Sequence, residues 1–126
     1  MKPIIYIAAP YYDLNPLVIA ENVLLARVVA EMVNRTGLAH ALVPHNVSEG
    51  IAHTLTESEW ADFTMELMRR SDAVIFRSFV GPTGRWSKNT SLENIESLSI
   101  KKPMLVLKDN QQHQEMILRF LEALQH

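Results

Sequence analysis

The sequence predicts a doubly wound α/β domain: a parallel sheet of four to five strands, Rossmann-like or flavodoxin-like, with helices on both faces in three layers. Three observations carry that expectation. Short β-favouring apolar runs alternate along the chain with longer segments whose apolar residues recur at helical spacing. Alternation of this kind implies right-handed crossovers, and hence parallel pairing. The length of 126 residues suits one core, so residues 1–126 are expected to form a single domain.

The elements follow in order. Pro3 to Ala9 is a continuous apolar run of the kind buried on both faces of a parallel sheet. Asn15 is placed to cap a helix whose first position is Pro16. Ile19, Val23, Ala26, Ala30 and Val33 form its apolar stripe until Gly37 stops it. His40 to Pro44 reads as a second strand, followed by a polar loop or lid from His45 to Thr54 that contains Gly50. Thr56 and Glu59 make a capping box ahead of Trp60, Phe63 and Leu67, so a second helix should run to about Arg70, with a basic end that suits the helix dipole. Asp72 to Phe76 is the third strand. A loop with Gly81, Pro82 and Gly84 leads to a helix beginning near Thr90. Pro103 to Leu107 is the fourth strand, and Asp109-Asn110 turns into a last helix with Ile117, Phe120, Leu121 and Leu124 on one face.

Composition and missing motifs exclude several functions. The residues are 48% hydrophobic and 21% charged, with a formal net charge of -2, and the basic residues are scattered, so no nucleic-acid partner is expected. Without cysteine there are no disulfides, thiolate metal sites or thiol nucleophile, and a reducing cytoplasm suits the chain. The opening apolar run, Ile4 to Pro10, is too short for a signal peptide or a membrane span, and no membrane association is expected. The four glycines form neither GxGxxG nor GxxxxGK[ST]. His40, His45 and His53 lack metal-ligand spacing, and no GxSxG elbow occurs. Neither metal nor cofactor is expected.

In an open parallel sheet, ligands bind beyond the carboxyl ends of the strands, where strand order reverses. Candidate residues therefore lie in Ala9 to Asp13, His45 to Thr54 and Arg77 to Glu93. Gly84 to Glu93 is a polar turn feeding a helix with Leu92, Ile95, Leu98 and Ile100 on its apolar side. Free N–H groups at the helix start, the Ser87 hydroxyl, Arg85 and Lys88 together suit a phosphate. The same field would keep Glu93 ionised, the state a carboxylate nucleophile requires. Thr90-Ser-Leu-Glu93 also fits a capping box, and on spacing alone the cap is the favoured role. Trp60 and Phe63 read as core or a subunit contact, Met65 and Met68 as gap-fillers, and Asp72 as a carboxylate fixing backbone. Tyr6, Tyr11 and Tyr12 divide evenly between orienting a ligand and ordinary packing.

Ile5-Tyr-Ile-Ala-Ala-Pro-Tyr-Tyr12, Ser71-Asp-Ala-Val74, Ser87 with Glu93, and Lys102-Pro103 resemble the nucleoside 2-deoxyribosyltransferase superfamily over most of the chain. That group includes transferases that exchange the base of deoxynucleosides and glycosidases that release the base of nucleoside 5'-monophosphates to water. The resemblance implies Glu93 as nucleophile, nine residues before Lys102, Tyr6 lining the sugar site and Ser87 at the 5'-phosphate. It favours catalysis over capping for Glu93, although both roles can coexist. Substrate contacts are expected from Tyr6, Pro10, Tyr11, His45, Trp86, Ser87 and Asn89, with Trp86 covering a base or filling a dimer interface. Thr64 stands where family members carry the aspartate that protonates the leaving base, which leaves Asp62, Glu66, Glu59 and His45 as candidate acids. Asn89 and Lys101 replace family glycines. The leading expectation is hydrolysis of a nucleoside 5'-monophosphate. The alternatives are base exchange and a nucleotide-binding sensor without chemistry. A homodimer or higher homo-oligomer is implied by the same resemblance.

Overall fold

Strand β1, Ile4–Ala8, owes its place at the centre of the sheet to a run of side chains that is buried on both faces. The computed structural model describes residues 1–8, 16–44, 54–77, 102–108 and 112–125. Within them, the chain continues through α1 (Pro16–Arg35), β2 (His40–Leu42), α2 (Glu57–Arg69), β3 (Ala73–Arg77), β4 (Met104–Leu107) and α3 (His113–Leu124). The strands form one all-parallel sheet of four in the order β2-β1-β3-β4.

Strand alternation divides the core in two. Ile5, Ile7, Ala73 and Ile75 pack on one face with Ala26, Val29, Ala30 and Val33 of α1 and with Ile117 and Leu121 of α3. Tyr6, Ala8, Val74 and Phe76 face the other way, against Met68 of α2. These are the three layers expected, α1 and α3 on one side of the sheet and α2 on the other. The geometry follows from crossover hand: β1 to β2 and β2 to β3 move in opposite directions across the sheet, so connections of the same hand lie on opposite faces.

Local chemistry sets the boundaries. Asn15, the expected cap of α1, lies outside the described residues. The far end of α1 is closed as expected by Gly37, whose φ of 72° is left-handed. There Thr36 donates from Oγ1 to the Val33 carbonyl at 2.7 Å and accepts from the Leu38 N–H at 3.1 Å. Asn34 Oδ1 then accepts from the Ala41 N–H at 2.9 Å, tying the helix end to β2. β2 stops at Leu42 rather than Pro44, in keeping with an edge strand running into a residue that lacks an N–H.

The capping box of α2 forms as its sequence predicts. Thr56 Oγ1 accepts from the Glu59 N–H at 3.1 Å and Glu59 Oε1 accepts from the Thr56 N–H at 3.0 Å. Asp72 precedes β3 instead of opening it and does fix backbone. Its Oδ2 accepts from the Ile4 N–H at 2.8 Å while its own N–H donates to the Ile4 carbonyl at 2.8 Å. β3 runs one residue further than expected, to Arg77, and β4 starts one residue later, at Met104. Pro103 contributes only its carbonyl, accepting from the Val74 N–H at 3.0 Å. Asp109-Asn110 lies outside the described residues, and Gln112 stands at the N-cap of α3 without a side-chain bond. Trp60 and Phe63 are half-buried on α2, their rings tilted at 41° with centroids 6.0 Å apart. Met68 is core and Met65 packs against it, so both fill gaps as expected. Among the described residues, no helix is long and apolar enough to cross a membrane.

Candidate functional site

The strand order fixes where a ligand site is to be sought. From β1 the chain turns to β2 on one side, and from β3 it turns to β4 on the other. The connections from β1 and β3 run to opposite sides of the sheet, so the carboxyl ends of these two strands mark the topological switch point, where ligands bind in doubly wound sheets. Ala8 and Arg77 are the last residues of those two strands. The segments that leave them, residues 9–15 and 78–101, hold most of the sequence-predicted site.

Of the expected nucleophile and substrate contacts, Tyr6 alone lies within the described residues. Its side chain has no exposed surface (0%) and belongs to the layer between the sheet and α2, with Ala8, Met68, Val74 and Phe76. Two residues separate it from the end of β1, so the ring sits in the packed layer about 7 Å below the carboxyl edge. Pro10, Tyr11, His45, Trp86, Ser87, Asn89 and Glu93 lie outside the described residues, as do Arg85, Lys88 and His53.

The candidate proton donors on α2 separate clearly. Glu59 accepts from the Thr56 backbone N–H and lies beside the Thr56 hydroxyl, and these hydrogen bonds, the backbone one first, hold its carboxyl below the usual range. Glu66 is also held below that range, first by a hydrogen bond from Arg70 at 2.9 Å and then by the Arg70 charge, with a smaller contribution from Arg69. Both carboxylates are engaged by neighbouring residues in the local structure of α2. Glu66 also lies on the last turns of α2, which run toward the amino edge of the sheet, away from the switch point. Asp62 is exposed on the same helix, whereas Thr64 is turned inward and buried, with 2% of its surface exposed.

Lys102, the later landmark of the sequence pattern, is structural. Its Nζ donates to the carbonyl of Ser71, and Ser71 Oγ donates to the Leu67 carbonyl at 2.9 Å. The lysine thus ties the start of β4 to the turn between α2 and β3, at the amino edge of the sheet. Its ammonium is not at the switch point.

The burial of two polar residues goes beyond the sequence reading, which places Arg77 only at the start of a candidate loop and passes over Asn22. Arg77 is only 7% exposed and Asn22 only 3%. Arg77 continues the alternation of Ala73 and Ile75, so it belongs to the face covered by α1 and α3. Asn22 occupies the stripe of Ala26, Val29 and Val33, one turn nearer the carboxyl edge. Ending the third strand at Phe76 hides the first, and counting only apolar residues hides the second. Strand parity and helical spacing applied to polar residues would have found both. A shallow depression at the start of α3, lined by Gln112, His113, Gln114, Glu115 and Leu118, lies beyond the edge strand β4 and not at the switch point.

No family model matches the chain, and no curated protein matches its sequence. Fold and strand order therefore define the class: an α/β protein with a four-stranded parallel sheet whose topological switch point lies between β1 and β3.

Proposed function

We propose that the chain is an N-glycosidase that cleaves the base–sugar bond of a nucleoside 5'-monophosphate, with Glu93 as nucleophile. Its support is the resemblance to the nucleoside 2-deoxyribosyltransferase superfamily taken together with the switch point. The observation that carries it is the anchoring of Lys102 at the amino edge of the sheet. Nine residues separate Glu93 from Lys102, which in the helix that the spacing predicts is a rise of about 14 Å. The four residues of β4 span about 13 Å in the opposite direction. A helix starting at Glu93 and returning toward that anchor would begin near the carboxyl edge, where a nucleotide would sit.

In the proposed reaction a Glu93 oxygen bonds to C1' as the C1'–N bond breaks. The bonding electrons leave with the base, which takes a proton from an acid. Water then adds to C1', frees the carboxylate and releases the sugar 5'-phosphate, the double displacement of retaining glycosidases. Ser87, Arg85 and Lys88 would hold the phosphate, and Tyr6 would support the sugar site from the layer beneath it. With Glu59 and Glu66 engaged elsewhere, Asp62 and His45 remain as proton donors. No metal or cofactor enters the scheme. The cytoplasm and a homodimer or higher homo-oligomer belong to the same reading. The buried Thr64 favours one second reading, a nucleotide-binding protein without turnover, because a hydroxyl there cannot supply the proton a carboxylic acid would.

The test is a panel of ribo- and deoxyribonucleoside 5'-monophosphates, with free base separated by chromatography, for the wild type and Glu93→Gln. The wild type should release base and the variant should lose roughly a thousandfold or more of that rate. Equal background release from both refutes the glycosidase. Binding without turnover selects the sensor, and incorporation of a second, added base selects the transferase.

A further inference from the structure

The layer between the sheet and the helices α1 and α3 changes character at one end. Its core is apolar, from Val33 and Ala39 to Ala26, Ile7 and Ile75. Toward the carboxyl edge two polar side chains are buried in it, Arg77 with 7% of its surface exposed and Asn22 with 3%. The strand register puts Arg77 at the edge itself. β1 and β3 pair last at Ala8 and Phe76, and Arg77 stands one residue further on, opposite Leu107 of β4. Asn22 reaches the same end because α1 runs back from the end of β1 to the start of β2, and Asn22 lies one turn before Ala26.

A guanidinium taken out of water is costly unless acceptor oxygens meet its donors. The acidic residues of α1 and α3, Glu21, Glu31, Glu115 and Glu122, are all exposed. What the described residues bury at this end is therefore a cation and an amide, at the switch point where the fold places a ligand. We propose that Arg77 receives a phosphoryl group there, on the α1 side of the sheet. Its planar fork matches two phosphoryl oxygens at once, and with five donors it holds a partner within the chain and a ligand oxygen together. The inference adds a contact to those proposed for Ser87, Arg85 and Lys88. It rests on the strand order and the burial of Arg77 and is independent of Glu93, since a protein that holds a sugar phosphate without turnover would use the same guanidinium.

Ribose 5-phosphate, inorganic phosphate and ribose are suitable probes, because none has a base to release. The melting temperature is followed against the concentration of each. For the wild type, ribose 5-phosphate and phosphate should raise it and ribose should not. Arg77→Met keeps an apolar stem and drops the charge, and should need about a hundredfold more ribose 5-phosphate for the same rise. Arg77→Lys keeps the charge without the fork and should need about tenfold more. The rise is measured within each variant, so any stability lost through the substitution itself does not enter, and Arg77→Lys decides alone if Arg77→Met does not fold.

A wild type that responds to neither phosphate nor ribose 5-phosphate overturns the proposal. So does a rise that the Arg77 variants retain at wild-type concentrations, which would make Arg77 an internal strut. A response to phosphate alone identifies the free anion as the ligand, and a response to both extends the subsite to sugar phosphates. Binding that depends on Arg77 without base release keeps the subsite and refutes the glycosidase, whereas base release with binding indifferent to Arg77 does the reverse.

Discussion

Replacing Thr56 by alanine removes one bond of the α2 capping box, and the size of the loss can be worked from its geometry. Thr56 Oγ1 accepts from the Glu59 N–H at 3.1 Å. Alanine leaves that donor without its side-chain acceptor. Both residues are exposed, so water can solvate the freed N–H, and the cost should fall near the middle of the range for lost caps, about 1 kcal/mol. That is roughly a fivefold change in the folding equilibrium and a melting temperature lower by roughly 3–6 °C. Urea unfolding followed by circular dichroism should show the midpoint falling by roughly 0.5–1 M with an unchanged slope. Thr56→Ser keeps the oxygen and should stay close to wild type. A serine variant that falls as far as the alanine variant, or an alanine variant with an unmoved midpoint, would refute the assignment of stability to this hydrogen bond.

Two further outcomes are expected. Gly37→Ala should cost about 1 kcal/mol by thermal denaturation, because a Cβ there meets nothing within 4 Å and only the φ of 72° opposes it; an unchanged melting temperature would show that the left-handed turn is not enforced. Glu66 has its carboxyl lowered by Arg70, so its contribution is present above the usual carboxylate range and is lost as pH falls through the lowered value. The wild type should therefore be more stable than Glu66→Gln at pH 6, and the gap should close below about pH 4; melting curves across that interval with a constant gap would contradict the ion pair.

Some of the candidate site was legible without coordinates. Alternating strand and helix periods lead directly to a parallel sheet, and a parallel sheet places ligand loops at its carboxyl edge. The polar turn from Gly84 to Glu93 stands out by residue type alone. Lys102 shows what such reading leaves open. Its spacing from Glu93 marks a pattern, yet its ammonium binds the Ser71 carbonyl at the opposite edge. Glu59 and Glu66 are candidate acids by position, and only the structure shows the partners, Thr56 and Arg70, that hold both carboxyls below the usual range.

The features determined by sequence alone are those governed by neighbours a few residues apart. The Thr56–Glu59 box, the stop at Gly37 and the stripe of Ile117 and Leu121 all depend on helical rise and local hydrogen bonds, which spacing encodes. The tertiary structure decided what depends on distant partners. The order β2-β1-β3-β4, the clamp between Asp72 and Ile4, and the burial of Arg77 and Asn22 all require contacts between segments remote in the chain. A strand's apolar period specifies which faces it buries and leaves open which strand lies beside it, and that choice is made by the packing of the whole core.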